Sequence, residues 1–513
     1  MSILTFIFAV PLLTALLLAF VPRNYCVVMR GAAVLATFIS ALLATLMFLQ
    51  FNGAQGGSNG FKFEYQAPWV QALGISYHIG ADGINVGLIL MGAIVAFAAA
   101  CVSSEIKERE KEFYILLLVM TGGILGAFVS LDLFLFYFFH ELALVPTFIM
   151  IGVWGRGMQK NYATFQITLY LSLGALIALA GLIVLYLQSG AGTFDIPALT
   201  KYLSQTPLSA ATQHLIFPLL LFGFGILISL WPFHTWAPLG YGSAPSPTAM
   251  LHAGVLKKFG LYGLIRIALP MLPDAAQSWV GIIATLCLGN LVYCGWVAMR
   301  QKNFNWLAGY SSVAHMGFVF LGIATLNVIG VSGAVLVMIA HGFLAALLFG
   351  LNGYIYQQTG TLEIVELGGL LRKLPFVGAA LMMAAFAGCG LPGFANFVGE
   401  ITVLFGAWKA FHWVTVLAVW GASVVGAIYM LRAIRSMLQG PLPERWAQVS
   451  DANNFWRKAP FVLLLAGLLV FGFFPGLLAN KISPSVTDVI GRYSTSTLAH
   501  SALRAPHFAL RTP

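Results

Sequence analysis

Residues 130–155 read SLDLFLFYFFHELALVPTFIMIGVWG, and the fold turns on this stretch. One carboxylate, Glu141, stands nine residues past Asp132 in a segment that is otherwise apolar or aromatic. At about 1.5 Å per helical residue it lies roughly 14 Å along, near the midplane of a hydrocarbon layer about 30 Å thick. An ionisable group at that depth costs several kcal/mol unless it is paired, protonated or hydrated. The stretch therefore predicts a membrane helix that carries its charge for a purpose.

Composition widens the prediction to the whole chain. It is 60% hydrophobic and 8% charged, with a mean hydropathy of +0.90, which excludes a soluble globular protein. At about 20 residues per span plus turns, 513 residues hold roughly fourteen transmembrane helices in one domain, 1–513. The expected fold class is an all-α polytopic membrane protein, since backbone groups in lipid must pair within each segment. The first run, ILTFIFAVPLLTALLLAFVP, lacks a basic start and a small-residue cleavage site, so it is expected to be a retained span rather than a signal. The formal charge of +10 does not imply nucleic acid, because lysine and arginine fall mostly in loops, where they set topology against the bilayer. The five cysteines form no C-x-x-C pattern, and no G-x-G-x-x-G or P-loop occurs. No cofactor is expected on this chain.

The apolar runs predict helices over 2–22, 29–50, 78–103, 113–130, 132–154, 163–187, 213–231, 246–270, 278–299, 304–325, 330–356, 375–411, 413–435 and 459–479. Basic residues divide about sixteen to three in favour of the odd-numbered loops, which puts those loops in the cytoplasm and both termini outside. The seventh span is interrupted by SLWPFHTWAP and the twelfth by GCGLPGFANFVGE. Proline removes an amide donor and glycine adds freedom, so both sites are expected to unwind. The breaks lie five spans apart, and an odd offset inverts their orientation. Matched broken helices in inverted halves point to an ion pathway. The expected organisation is two inverted five-helix repeats, 113–270 and 278–435, followed by a last helix and outer tail over 459–513.

Glu141 has ionisable company at similar depth. Lys257 and Lys258 stand in SPTAMLHAGVLKKFGLYGLIRIAL, His315 in YSSVAHMGF, His341 in MIAHGFLAALLFG, and Glu400 after the second break. Arg266 lies nearer the outer end and is expected to snorkel. Burial moves the proton affinities of carboxylates and lysines toward each other, and histidine titrates near neutrality, so such a line can pass protons. Six ionisable residues on five spans make a proton pathway the leading reading over structural pairing.

With these residues in view, the chain resembles the antiporter-like membrane subunits of respiratory complex I, the proton-pumping NADH–quinone oxidoreductases, and most nearly their M type. The likeness runs from ADGIN at Asp82 through FFHELALVPTFIMIGVWG, SAPSPTAMLHAGVLKK, YSSVAHMGF and MIAHGF to GLPGFANFVGE. It implies fourteen helices with inverted repeats and a translocase subunit in a bacterial inner membrane. It implies neighbours of the L and N types, and partner subunits holding FMN, iron–sulfur clusters and quinone. By the same likeness Glu141 is the essential carboxylate of the fifth span, Lys258 the lysine of the eighth, His315 and His341 the central histidines, and Glu400 the outer gate. Glutamate rather than lysine at the last position marks the M type.

One departure stands out. The family places a lysine before the first break, to pair with the fifth-span glutamate, and here Leu227 occupies that place. The doubled lysine motivates the expectation that Lys257 supplies the missing cation to Glu141. Two other functions compete: a subunit of a multi-chain sodium/proton antiporter or membrane-bound hydrogenase, and a spacer of a membrane arm that pumps nothing.

Overall fold

The computed structural model describes residues 2–51 and 60–504, without the side chains of residue 492 and residues 494–504. Among the described residues twelve helices are long and apolar enough to cross a membrane. They are α1 (Ile3–Phe20), α2 (Cys26–Gln50), α3 (Val86–Glu105), α4 (Glu110–Val129), α5 (Leu133–Trp154), α6 (Lys160–Ser189), α8 (Ala210–Ile228), α11 (Pro273–Met299), α12 (Phe304–Ala324), α13 (Val328–Thr359), α16 (His412–Leu438) and α17 (Phe455–Phe473). The eighth and twelfth expected spans correspond to α10 (246–271) and to the pair α14 (Pro375–Gly388) and α15 (Ala395–Trp408). The short α7 (Ile196–Gln205), α9 (Trp236–Ser243) and the final α18 (Gly476–Arg504) complete the helices.

Polar side chains set the ends. Asp132 caps α5, accepting from the amides of Phe134 and Leu135 at 2.9 and 3.2 Å. Asn327 caps α13 in the same way through Gly330, and Gly360, with φ +71°, ends it. Glu105 holds the start of α10: it accepts from the Ser246 amide at 2.8 Å and pairs with Arg156 at 2.6 Å. Helices α12 and α13 form the centre, with 94% and 100% of their membrane windows buried, and the others wrap around them.

Both expected breaks are present. Helix α8 stops at Ile228, where Ser229 turns left-handed, and the chain re-enters a helix only at Trp236. The freed backbone is satisfied by Asn290 of α11, whose Oδ1 accepts from the Trp231 amide at 2.8 Å and whose Nδ2 donates to the carbonyls of Ser229 and Val313. Between α14 and α15 the chain turns through Gly390 and Gly393, both at positive φ. Helix α10 is continuous but carries two π turns, His252–Leu256 and Leu264–Ala268.

Three expectations need correction. The third span was expected from residue 78, yet the helix begins at Val86, and residues 75–81 form a strand. Strand β2 (Ile75–Ala81) pairs antiparallel with β1 (Lys62–Val70) in a hairpin closed at Gly74, whose φ is +70°. Alternation in ISYHIGA and the polar pull on His78 outweigh its apolar composition. Second, α18 extends through part of the segment expected to be a tail. Third, Arg266 does not snorkel: it is buried and pairs with Asp82 of the ADGIN stretch at 2.6 Å. A partner within reach removes the need to find water.

Beneath the hairpin, buried His78 lies between Asp195, at the start of α7, and Glu64 of β1, with Nε2 2.9 Å from Glu64. Burial opposes its positive charge, but the bonds and attraction of the two carboxylates outweigh it and raise its pKa above the ordinary value. A raised folded-state pKa means the stabilisation is whole below the ordinary histidine value of about 6.5 and fades as pH rises through the higher one. Hydrogen exchange should therefore show residues 75–81 losing protection on alkalinisation, and His78→Gln should remove that pH dependence. Breaking the Asp82–Arg266 pair leaves one buried charge alone, so Arg266→Met should cost about 3–5 kcal/mol. Asp82→Asn added to it should recover part of that loss in thermal melts of the detergent-solubilised assembly.

Candidate proton pathway

The π turn in α10 sets the lysines. The Lys257 amide donates to the His252 carbonyl, five residues back, which rotates the following side chains relative to a regular helix. Lys258 Nζ then donates to the Ala253 carbonyl at 2.6 Å and to His341 Nδ1 of α13 at 2.9 Å. The rings of His341 and His315 stand 5.5 Å apart. His315 Nδ1 donates to the Ser311 carbonyl at 2.7 Å, which leaves Nε2 toward the Glu400 carboxylate, 3.6 Å away. That gap exceeds a hydrogen bond, so a small movement or one bridging water completes it. Lys258, His341, His315 and Glu400 are all buried and form one run across α10, α13, α12 and α15.

Lys257 is also buried but points elsewhere. Its ammonium lies 3.5 Å from Ser312 Oγ and 5.5 Å from the centre of the Tyr241 ring. It makes no ion pair with Glu141 among the described residues, so the expected substitution of Lys257 for the missing lysine is not realised here. The rotation at the π turn is the physical reason. Leu227 is buried in α8 and brings no charge.

Glu141 stands apart from the run. His140 Nδ1 approaches it to 3.9 Å, and Tyr137, one turn earlier, lies within hydrogen-bonding reach. Two further histidines fill the interval. His140 stacks on Phe259 with ring centres 3.9 Å apart. His252 packs between Trp236 and Tyr241. Both were missed in the sequence, although each sits in an apolar run beside a residue singled out: HE in FFHELAL, and H five residues before the lysine pair in LHAGVLKK. Tyr429, bonded to Ser311 Oγ at 3.0 Å, is a third residue at the run that no motif marked.

Broken helices and a mid-depth line of bases and acids are features of ion-translocating membrane subunits. Residues 130–426 match the family described as NADH:quinone oxidoreductase/Mrp antiporter, TM. The chain is 33% identical over 504 residues to NADH-quinone oxidoreductase subunit M of Rhodobacter capsulatus, covering 96% of each. It is 33% identical over 498 residues to NAD(P)H-quinone oxidoreductase chain 4 1 of a Picosynechococcus species, covering 95% of this chain and 92% of that one. A chain of respiratory complex I from Thermus thermophilus with bound NADH superposes with a TM-score of 0.86 at 29% identity, over 96% of this chain and 99% of that chain. One from the Mrp complex of Dietzia sp. shares the fold, with a TM-score of 0.82 at 20% identity over 98% and 99%. The chain belongs to the NADH:quinone oxidoreductase/Mrp antiporter membrane family, as a subunit of a translocase.

Gly390 bears directly on the run. A Cβ there would meet Glu400 Oε2 at 2.6 Å, and its φ of +67° already disfavours a side chain. Gly390→Ala should destabilise by about 1–2 kcal/mol from backbone conformation alone and push Glu400 from its place beside His315. A thermal melt paired with a structure of the variant checks both effects.

Proposed function

We propose that this chain moves protons through Glu141, Lys257, Lys258, His315, His341 and Glu400 as an M-type antiporter-like subunit of an NADH–quinone oxidoreductase. The observation that carries the reading is the run from Lys258 through His341 and His315 to Glu400. Protonated Lys258 can hand a proton to His341 Nδ1, which already accepts its hydrogen bond. His315, with Nδ1 committed to a carbonyl, exchanges at Nε2 with Glu400. The second break lies beside Glu400, and irregular backbone there would let that end of the run respond to movement.

FMN, iron–sulfur clusters and quinone belong to partner subunits in this reading, and quinone reduction there drives the run. The flanking subunits are of the L and N types. The chain lies in a bacterial inner membrane, with odd-numbered loops in the cytoplasm and both termini outside. The repeats 113–270 and 278–435 are related by inversion, each holding one break. On the odd-loop side a cavity of about 580 Å³ is lined by Arg156, Arg300, Lys302 and Asn305. Asn305 accepts from buried Asn352 at 2.9 Å, so a proton taken up on that side would enter past these amides.

The fold shared with an Mrp complex favours a second reading, a subunit of a multi-chain sodium/proton antiporter. The test is proton pumping by the intact complex in vesicles. Lys258→Met, Glu141→Gln and Glu400→Gln should each abolish or severely reduce pumping in normally assembled complex. Undiminished pumping in all three would make the chain a spacer, and sodium-dependent proton movement without quinone turnover would favour the antiporter.

A further inference from the structure

Beside Glu141 lies a second set of polar groups that the run from Lys258 to Glu400 does not use. His140, His252, Tyr241 and Thr248 are all buried. Each keeps one polar side-chain atom out of water with no hydrogen-bond partner among the described residues: His140 Nδ1, His252 Nδ1, the Tyr241 hydroxyl and Thr248 Oγ1. Glu141 Oε1 is in the same condition. Helix α5 packs against the start of α10 and its first π turn, which brings these groups into one region. Buried polar atoms are nearly always paired, so a cluster of orphans marks a place where something transient is bound.

Shape alone does not account for the histidines. His140 stacks on Phe259, and His252 sits against Trp236 and Tyr241. Phenylalanine would fill either place without burying an unbonded nitrogen. The π turn supplies the connection onward. The Lys257 amide bonds the His252 carbonyl, and closing a turn over five residues instead of four swings those two side chains toward one side. Tyr241 touches both: its ring centre is 5.4 Å from that of His252 and 5.5 Å from Lys257 Nζ. Lys257 in turn meets α12 at Ser312 Oγ, 3.5 Å away and next to Ser311, whose carbonyl holds His315. At the other end His140 Nδ1 is 3.9 Å from Glu141 Oε1, a gap that one water or a slight rotation closes.

We propose that His140 and His252 are proton carriers of this chain, relaying protons between Glu141 and Lys257 across the π turn of α10. A neutral imidazole offers one lone pair and one N–H, so it can take a proton at one nitrogen and release one from the other. The proton passes from the Glu141 carboxyl to His140, then to His252, then to the Lys257 amine. Each transfer breaks one O–H or N–H bond and forms one N–H bond, and no electrons move. Water held by the orphaned hydroxyls of Tyr241 and Thr248 carries the step between the rings. Lys258 is committed to His341 and the Ala253 carbonyl, and Leu227 is apolar, which leaves the two histidines as the bases at hand. The relay rests on the reading of this chain as a proton-moving subunit and gives Glu141 its link to the rest of that pathway.

Proton pumping by the assembled complex in vesicles tests it. His140→Gln and His252→Gln keep polar side chains that carry no proton near neutral pH, and each should lower pumping to the level of Glu141→Gln. His252→Phe preserves the aromatic packing and should lose pumping equally, which a structural role would not cause. His252→Ala leaves space for a ring, so added imidazole should restore its pumping and leave Glu141→Gln inactive. Wild-type pumping in His252→Phe, or in both glutamine variants, would overturn the relay. If Glu141→Gln and Lys258→Met still stop pumping in that case, the proposed function stands without these histidines; if they too pump normally, both readings fall.

Discussion

The contact between Lys258 and His341 is the interaction on which the centre of this protein depends. A lysine buried between packed helices has no water to solvate it, so its charge must be shared with whatever donors and acceptors the fold brings near. Here those are a carbonyl of its own helix at 2.6 Å and a histidine nitrogen of α13 at 2.9 Å. The carbonyl is available because the π turn before Lys257 has loosened the regular pattern. Local helix geometry and proton chemistry are thus one feature: without the π turn the lysine would have a different neighbour.

The same logic governs the breaks. An interrupted helix within apolar surroundings frees backbone groups that must bond somewhere. Asn290 takes two of them at the first break, the Trp231 amide and the Ser229 carbonyl, and also donates to the Val313 carbonyl of α12. At the second, Gly390 and Gly393 accept left-handed backbone and leave room for Glu400. One break is supported by an amide from a neighbouring helix and the other by glycine, so the two are alike in position but not in how they are held.

Much of this was legible in the sequence, and the parts that were not share a cause. Hydropathy marks spans because lipid imposes a length and a composition, and the breaks announce themselves through Pro232, Pro392 and their glycines. His315, His341, Glu400 and Lys258 could be singled out because polar residues are rare in such runs, and the structure brings those four together. The end of the hairpin, residues 78–81, was absorbed into an apolar span because His78 finds its carboxylates in Asp195 and Glu64, which hydropathy does not weigh. Arg266 was sent to the surface because Asp82, its partner, lies on another helix entry far along the chain. The partner of Lys257 failed for a subtler reason: it was assigned from the doubled lysine and its depth, and a π turn lies just before the pair. Composition reports depth well, but rotation about a helix axis depends on irregularities that it does not encode.

That distinction bears on Glu141. Its depth was readable and its surroundings were not, since a carboxylate in the middle of an apolar run could face inward or outward. It is half-buried, with Oε1 buried. A cation in α8 would have drawn the carboxylate inward and closed the site within one chain. With leucine there, the inner half of the pathway ends at a histidine, His140, too distant to bond it and stacked on an aromatic ring. The carboxylate keeps Tyr137, one turn earlier on its own helix, within hydrogen-bonding reach, and no cation of this chain pairs with it among the described residues.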